Sequence, residues 1–166
     1  MSNRNTVVLL APVLLLVTLV AYWPGLSGGF LLDDYPNIVT NPLVQPQRLD
    51  LEGLVDAARS YDAGTHGRPL ATVSFALDYL LYGKEPRGYK VTGLSIHALN
   101  ALLVFWFTVR VLQAGWASSR RTILAGFCVA LLWAVHPLQV SSALYIVQGM
   151  ETLSLHEASP GHHFQV

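Results

Sequence analysis

Charge is scarce in this sequence, and so is cysteine. Only 12% of the 166 residues are Asp, Glu, Lys or Arg, about half the share found in a typical soluble domain. The ten basic and ten acidic residues cancel, so the chain lacks the net positive charge that attracts nucleic acid, and we predict no nucleic-acid partner. Its single cysteine, Cys128, excludes an internal disulfide framework and cysteine-based zinc or iron–sulfur sites.

Hydrophobic residues, at 52% of the chain, take the place of the missing charge. The runs that contain no Asp, Glu, Lys or Arg cover residues 6–23, 91–109 and 122–150, the last with a proline at position 137. An apolar helix of about 20 residues crosses a bilayer core. We therefore predict an all-α, multi-pass membrane protein with about three transmembrane helices, at roughly 6–23, 91–109 and 122–135.

The arginines beside these runs predict the orientation. Arg4 precedes the first run, and Arg110, Arg120 and Arg121 lie between the second and the third. Basic residues in short loops mark the cytoplasmic side, so we expect a cytoplasmic N-terminus and an extracytoplasmic first loop over residues 24–90. Apolar spacing inside this loop predicts two helices along the membrane surface, at 51–60 and 70–82.

Two adjacent carboxylates, Asp33 and Asp34, follow the first hydrophobic run. Carboxylates beside a bilayer are costly unless they are solvated or used. They could supply a general base, or hold a divalent metal ion against a phosphate leaving group. A solvated acidic turn is the alternative.

Three cationic or titratable side chains are further candidates. Arg68, in the outer loop, suits a bidentate contact to phosphate, and a surface salt bridge explains it equally well. His97 lies within the second run, where it either contacts a substrate or makes a packed hydrogen bond between helices. His136, which precedes a proline, either lines a site or caps a helix end.

The C-terminal tail, residues 151–166, concentrates histidines beside a carboxylate. Three of the six histidines stand here beside Glu157, and in zinc peptidase sites two histidines bind the metal ion and a glutamate activates water. However, Pro160 breaks the helix that would place such ligands one turn apart. We therefore expect adventitious metal affinity and no resident zinc ion in the tail.

Taken together, these pieces resemble the bacterial relatives of the tetratricopeptide-repeat membrane O-mannosyltransferases, which belong to the GT-C class of glycosyltransferases. The resemblance extends over roughly residues 7–150. The motifs that carry it are Phe30-Leu31-Leu32-Asp33-Asp34-Tyr35-Pro36-Asn37-Ile38, Arg68-Pro69-Leu70, Gly88-Tyr89-Lys90, Ile96-His97-Ala98-Leu99-Asn100 and His136-Pro137-Leu138-Gln139-Val140.

The resemblance implies that residues 1–150 form the N-terminal part of a polytopic GT-C fold in a bacterial inner membrane. The implied donor is a polyprenyl-phosphate sugar, and the implied acceptor is a protein hydroxyl. Asp33 and Asp34 would then form the catalytic acidic motif, as base or metal-holding group. Arg68, His97 and His136 match motif positions with donor-phosphate or structural roles.

The sequence departs from this family in three places. Gly93 stands where many relatives have Asn, Gly149 stands where they usually have Arg, and residues 151–166 are unrelated to them. The tail instead resembles the HExxPGHHxQ segment of an uncharacterised zinc-peptidase-like family, and this resemblance implies His156 and His162 as metal ligands and Glu157 as the group that activates water. We therefore expect a truncated or fused reading frame whose product is inactive alone. The alternatives are a small integral membrane protein that binds a partner without catalysis, or a metallopeptidase-like fragment.

Overall fold

The computed structural model describes residues 3–60, 69–115 and 119–147, and these residues are helical without any β-strand. The prediction of an all-α chain is therefore confirmed for the part of the chain that the structure describes. The α-helices are α1 (Asn3–Tyr22), α2 (Leu51–Arg59), α3 (Pro69–Tyr82), α4 (Pro86–Gly115), α5 (Arg120–Ala134) and α6 (Gln139–Leu144). Short 3₁₀ turns occupy Trp23–Ser27 and Pro42–Val44, and a π-helical turn occupies Tyr35–Val39.

The chain divides into two compact units. Unit 1 comprises the described residues of Met1–Gly29 and Pro86–Ile146, and unit 2 comprises those of Phe30–Glu85 together with Val147. Unit 1 therefore holds the long apolar helices, while unit 2 is the segment predicted as the first loop. The expectation that residues 1–150 belong to one polytopic fold stays a prediction.

Unit 1 is built on the packing of α1, α4 and α5. Its core is made of buried side chains from all three helices: Leu14, Ala101, Phe105, Val109, Ile123, Ala130 and Ala134. Small residues let membrane helices approach closely. At Gly126 a β-carbon would fall 2.6 Å from Cγ2 of Val109, so only glycine permits the observed contact between α5 and α4.

Two helical segments of unit 1 are long and apolar enough to cross a membrane: Asn3–Ser27 and Pro86–Gly115. Large apolar side chains stand exposed along both, including Leu16 at 62% and Phe107 at 63%. An apolar surface of this kind on a helix suits contact with lipid. The third predicted span corresponds to α5, which has 15 residues and reaches about 22 Å, short of a hydrocarbon core of about 30 Å.

Unit 2 packs α2 against α3, with the 3₁₀ turn Pro42–Val44 contacting both helices. Apolar side chains of the unit are buried, including Ile38, Val44, Ala57 and Phe75. The helix predictions at 51–60 and 70–82 match α2 and α3 within one residue at each end.

Asp50 caps the N-terminus of α2. Its Oδ1 accepts a hydrogen bond from the backbone N–H of Gly53 at 2.9 Å, and its Oδ2 accepts one from Nε of Arg48 at 2.8 Å. The Gly53 hydrogen bond, followed by the Arg48 contact, lowers the pKa of Asp50 below its ordinary value of 3.8. Both contacts favour the charged carboxylate, and the cap satisfies a donor that a helix start leaves unpaired.

The cap makes the start of α2 sensitive to acid. Because the pKa of Asp50 is lower in the folded chain, the charged cap stabilises α2 above pH 3.8 and loses this effect as the pH falls through the lowered pKa. We expect the amide resonance of Gly53, in glycine-labelled protein, to titrate with a midpoint below 3.8. Asp50→Asn keeps a good cap and abolishes the titration.

Arg48→Gln serves as the control for this assignment. It should leave the midpoint below the ordinary value, because the hydrogen bond from Gly53 is the larger cause of the shift. A midpoint that returned to the ordinary value in Arg48→Gln would show that the ion pair, and not the cap, sets the pKa.

Candidate functional site

The acidic pair lies in a tight turn at the beginning of unit 2. The backbone N–H of Asp34 donates to the carbonyl oxygen of Leu31 at 2.7 Å, and that of Tyr35 donates to Leu32 at 3.2 Å. The carbonyl oxygen of Asp33 accepts from Nδ2 of Asn37 at 2.7 Å. Pro36 has no N–H to donate, and a proline near a helix start is tolerated for that reason. The turn therefore fixes the backbone of both aspartates.

Asp34 is turned inward, with 1% of its surface exposed. Its Oδ2 accepts from the backbone N–H of Leu31 at 2.9 Å. Its Oδ1 accepts from the backbone N–H of Val147 at 3.1 Å, from a residue 113 positions away. Both carboxylate oxygens thus hold backbone donors of unit 2, which gives Asp34 the geometry of a positioning residue.

Asp33 has an exposed side chain, in contrast to its neighbour. The residue before it, Leu32, has φ +27° and is 81% exposed. A leucine in the left-handed region carries a steric cost of about 1–2 kcal/mol, and strained residues of this kind concentrate at functional sites. The turn therefore presents one carboxylate outward beside a strained residue, while the other anchors it.

Substitution at Leu32 tests this strain. Because glycine has no Cβ, we expect Leu32→Gly to stabilise the turn relative to Leu32→Ala by about 1 kcal/mol. The local opening free energy, measured by hydrogen exchange at the amides of Asp34 and Tyr35, reports the difference. At Leu31, whose φ is not positive, the order should reverse, with Ala more stable than Gly. The same order at both positions would show that Leu32 is not strained.

His97 lies in the interior of unit 1, with 4% of its surface exposed. Its Nε2 is 2.9 Å from the carbonyl oxygen of Ala134 and donates to it. Its ring stacks on Trp133 and meets the ring of Tyr22 edge-on, each with centroids 5.1 Å apart. The Oη of Tyr22 donates to the same carbonyl oxygen at 2.8 Å. His97 thus makes the hydrogen bond between helices that was the alternative to substrate contact.

His136 stands exposed in the turn between α5 and α6. Its Nδ1 accepts from the backbone N–H of Leu138 at 3.3 Å, and its carbonyl oxygen accepts from the N–H of Gln139 at 2.9 Å. These hydrogen bonds hold the turn that precedes α6, and the choice between a helix cap and a site contact for His136 stays a prediction. The exposed ring can still meet a ligand.

Lys90 is a buried cation that sequence reasoning did not select. It is 5% exposed, and its Nζ donates to the carbonyl oxygen of Gly25 at 3.4 Å. A β-carbon on Gly28 would fall 2.6 Å from this Nζ. Lys90 therefore ties the start of α4 to the turn after α1. Lys90 stands in the motif Gly88-Tyr89-Lys90 that carries the family resemblance, at the edge of an apolar run, but neither feature indicates which group its Nζ contacts.

The remaining candidates lie outside the described residues. These are Arg68, in the segment predicted as the first loop, and His156, Glu157 and His162, in the tail. Within the part of the chain that the structure describes, no group of three or more His, Cys, Asp or Glu side chains could hold a metal ion. Both carboxylate oxygens of Asp34 already accept backbone N–H bonds, whereas the side chain of Asp33 is exposed.

The chain is similar over most of its length to protein O-mannosyl-transferases of animals. It is 33% identical over 137 residues to protein O-mannosyl-transferase Tmtc1 of Drosophila melanogaster, covering 77% of this chain and 15% of that protein. It is 30% identical over 152 residues to TMTC3 of Mus musculus, covering 86% and 15%. Protein O-mannosyl-transferase F38B6.6 of Caenorhabditis elegans is 27% identical over 155 residues, covering 90% and 21%.

The similarity supports the expected relation to O-mannosyltransferases and a membrane setting. The chain spans about 15% of the length of the first two relatives and 21% of the third. The relatives are eukaryotic, so they support neither the expected bacterial branch nor the resemblance seen in the tail. No family model and no solved structure matches the chain.

Proposed function

We propose that this chain provides the acidic active-site turn of a membrane glycosyltransferase that moves a mannosyl group from a polyprenyl phosphate to a protein hydroxyl. The observation that carries the proposal is the exposed carboxylate of Asp33, fixed by a buried neighbour. Asp33 follows the end of the apolar segment Asn3–Ser27 by six residues. Six residues reach about 20 Å at most, so the carboxylate stays close to the surface where a lipid-linked sugar would present its phosphate.

The proposed reaction is a single displacement at the anomeric carbon. The Asp33 carboxylate accepts the proton of a serine or threonine hydroxyl, and the hydroxyl oxygen bonds to the anomeric carbon. The bond from that carbon to the phosphate oxygen breaks, and the polyprenyl phosphate leaves with the electron pair. Cationic side chains would stabilise the phosphate. Arg68 remains the candidate for this role, carried over from the family resemblance.

A divalent metal ion at Asp33 is the alternative role for this carboxylate. Such an ion would neutralise the leaving phosphate, and Asp33 would supply one oxygen ligand to it. The oxygen atoms of Asp34 already accept backbone hydrogen bonds, which favours the base. Transfer that is lost when a chelator removes divalent metal ions would indicate the metal-ligand role of Asp33, and transfer that is unaffected would indicate its role as base.

The proposal includes a topology. Arg4, Arg110, Arg120 and Arg121 flank the ends of α1, α4 and α5, and we assign these ends to the cytoplasmic side. Unit 2 and the acidic turn would then face the extracytoplasmic side. In a bacterium the host membrane would be the inner one. We propose further that the 166 residues bind donor and that turnover needs the additional length that the relatives have.

Donor binding by the reconstituted chain tests the proposal. The probe is citronellyl-phosphate mannose, a short-chain donor that does not partition strongly into vesicles, offered to the 166-residue chain in phosphatidylcholine vesicles. Saturable binding, displaced by citronellyl phosphate, is the expected result. A chain that binds neither compound would contradict the proposal.

A membrane protein that binds a lipid phosphate or a partner without chemistry is the second candidate. It is favoured by the geometry of His97 and His136, since the rings of both residues already make hydrogen bonds to the backbone. Donor binding by the unaltered chain, together with absent transfer when the unaltered sequence, with Asp33 in place, is tested in a full-length context, would establish this candidate instead.

A further inference from the structure

Unit 1 contains a cavity at the end where α1 begins and α4 ends. Its volume is about 410 Å³, which falls within the range of about 300–1,000 Å³ that small-molecule sites occupy. Residues of α1, α4 and α5 line it. The beginning of α1 lies beside the end of α4 in this lining. The cavity is therefore at the opposite end of α1 from the turn Trp23–Ser27, which follows the last residue of that helix.

The walls of the cavity combine apolar and cationic side chains. Val7, Phe105 and Trp106 contribute apolar surface, and Arg4 and Arg110 bring guanidinium groups from two different helices. The guanidinium carbon of Arg110 lies 5.5 Å from the ring centre of Trp106, in cation–π geometry. Guanidinium groups recognise phosphate by paired hydrogen bonds. The lining therefore matches a ligand with a phosphate at one end and a hydrocarbon portion beside it.

Unit 1 supplies no carboxylate to neutralise these arginines. All ten acidic residues of the sequence lie at positions 33–85 or after position 150, whereas the unit comprises residues up to Gly29 and Pro86–Ile146. Arg4 and Arg110 are both exposed. An anion from outside the unit is therefore the natural partner of the two guanidinium groups.

We propose that this cavity binds one anionic glycerophospholipid, with its phosphate between Arg4 and Arg110 and an acyl chain against Phe105 and Trp106. Lipid is favoured over a free phosphate ion because the cavity opens between two helices long and apolar enough to cross a membrane. Arginine and tryptophan near the ends of such helices lie at the level of the headgroups. The site is separate from the acidic turn and does not depend on the proposed transferase activity.

Lipid retention in native mass spectrometry tests this site. The full chain is released from mixed micelles that contain equal amounts of phosphatidylglycerol and phosphatidylcholine. We expect one retained phosphatidylglycerol per chain, and a loss of apparent affinity of about tenfold or more in the double variant Arg4→Gln/Arg110→Gln. Ala11→Leu, which narrows the same cavity and leaves both charges in place, should also lower retention.

The matched control is the double variant Arg120→Gln/Arg121→Gln. It removes the same charge near the same end of the unit, at the start of α5, from residues outside the cavity lining. It should retain the lipid as the unaltered chain does. Equal loss in both double variants would overturn the site, because it would show general attraction to a basic surface. Equal retention of phosphatidylcholine and phosphatidylglycerol would also overturn the site. So would displacement of the lipid by glycerol phosphate or inorganic phosphate at equal concentration, because it would identify a site for simple anions.

Discussion

Asp33→Asn is expected to lower mannosyl transfer by about 10²- to 10⁴-fold, the range that a general base contributes. The amide has nearly the same size as the carboxylate and cannot accept the hydroxyl proton. The Asp33 side chain is exposed, so the fold should be unaffected. Transfer to a serine-containing peptide would be measured in a chimera of the Drosophila relative in which this chain replaces the segment that it matches. Donor binding, measured in parallel, should stay close to that of the parent chimera.

Asp34→Asn is the matched comparison, since it makes the same chemical change one residue away. Its amide nitrogen would face a backbone N–H, either of Leu31 or of Val147, and a buried donor left without an acceptor costs about 1–3 kcal/mol. Hydrogen exchange in the turn should therefore accelerate in Asp34→Asn and not in Asp33→Asn. Full transfer in Asp33→Asn would exclude its role as base. Loss of transfer on chelation of the parent protein would assign Asp33 to a metal ion.

Sequence reasoning located the acidic turn but could not divide the work between its two carboxylates. Asp33 and Asp34 both follow the same hydrophobic run, so their position in the sequence makes them equal candidates. Their environments differ because the backbone N–H of Val147, far away in the sequence, donates to the Asp34 carboxylate, whereas the Asp33 side chain is exposed. Leu32, which precedes the pair, has a positive φ. Neither long-range pairing nor strain at a leucine has a local sequence signal.

The helices were predicted well in kind and less well in extent. The sequence predicts the second helix at residues 91–109, but α4 covers Pro86–Gly115. The predicted helix begins after Lys90 because the uncharged run begins there. A helix can include a charged residue that finds a partner, and Lys90 is buried, with its Nζ donating to the carbonyl oxygen of Gly25. The third helix agrees closely with its prediction: the sequence predicts residues 122–135, and α5 covers Arg120–Ala134. α5 ends at Ala134, near Pro137, since proline disfavours helix at the preceding residue.

His97 shows why a polar residue inside an apolar helix is ambiguous in sequence. The last carbonyl groups of a helix have no partner within that helix, and Ala134 is the last residue of α5. His97 and Tyr22 both donate to its carbonyl oxygen. A histidine that contacts a substrate and a histidine that joins two helices would look the same in the sequence. What distinguishes them is the hydrogen-bond acceptor, which another helix contributes.

We expect His97→Ala to reduce the free energy of unfolding by about 2–4 kcal/mol, because it empties the space between two aromatic rings and removes a buried hydrogen bond. His97→Phe keeps a ring between Tyr22 and Trp133 and loses only the hydrogen bond, at a cost of about 1 kcal/mol. Unfolding would be followed by circular dichroism in mixed micelles titrated with sodium dodecyl sulfate, with the affinity for citronellyl-phosphate mannose measured on the same samples.

The comparison of His97→Phe with Tyr22→Phe separates a structural role from contact with the donor. Each single change leaves the carbonyl oxygen of Ala134 with one side-chain donor, and the double change leaves it with neither of them. The double variant should therefore lose more stability than the two single variants together, a coupling that is expected for residues sharing one partner. Donor affinity should be unchanged in His97→Phe. If His97→Phe kept its stability and lost the donor, the ring would be a ligand contact, and the hydrogen bond to Ala134 would serve to aim it.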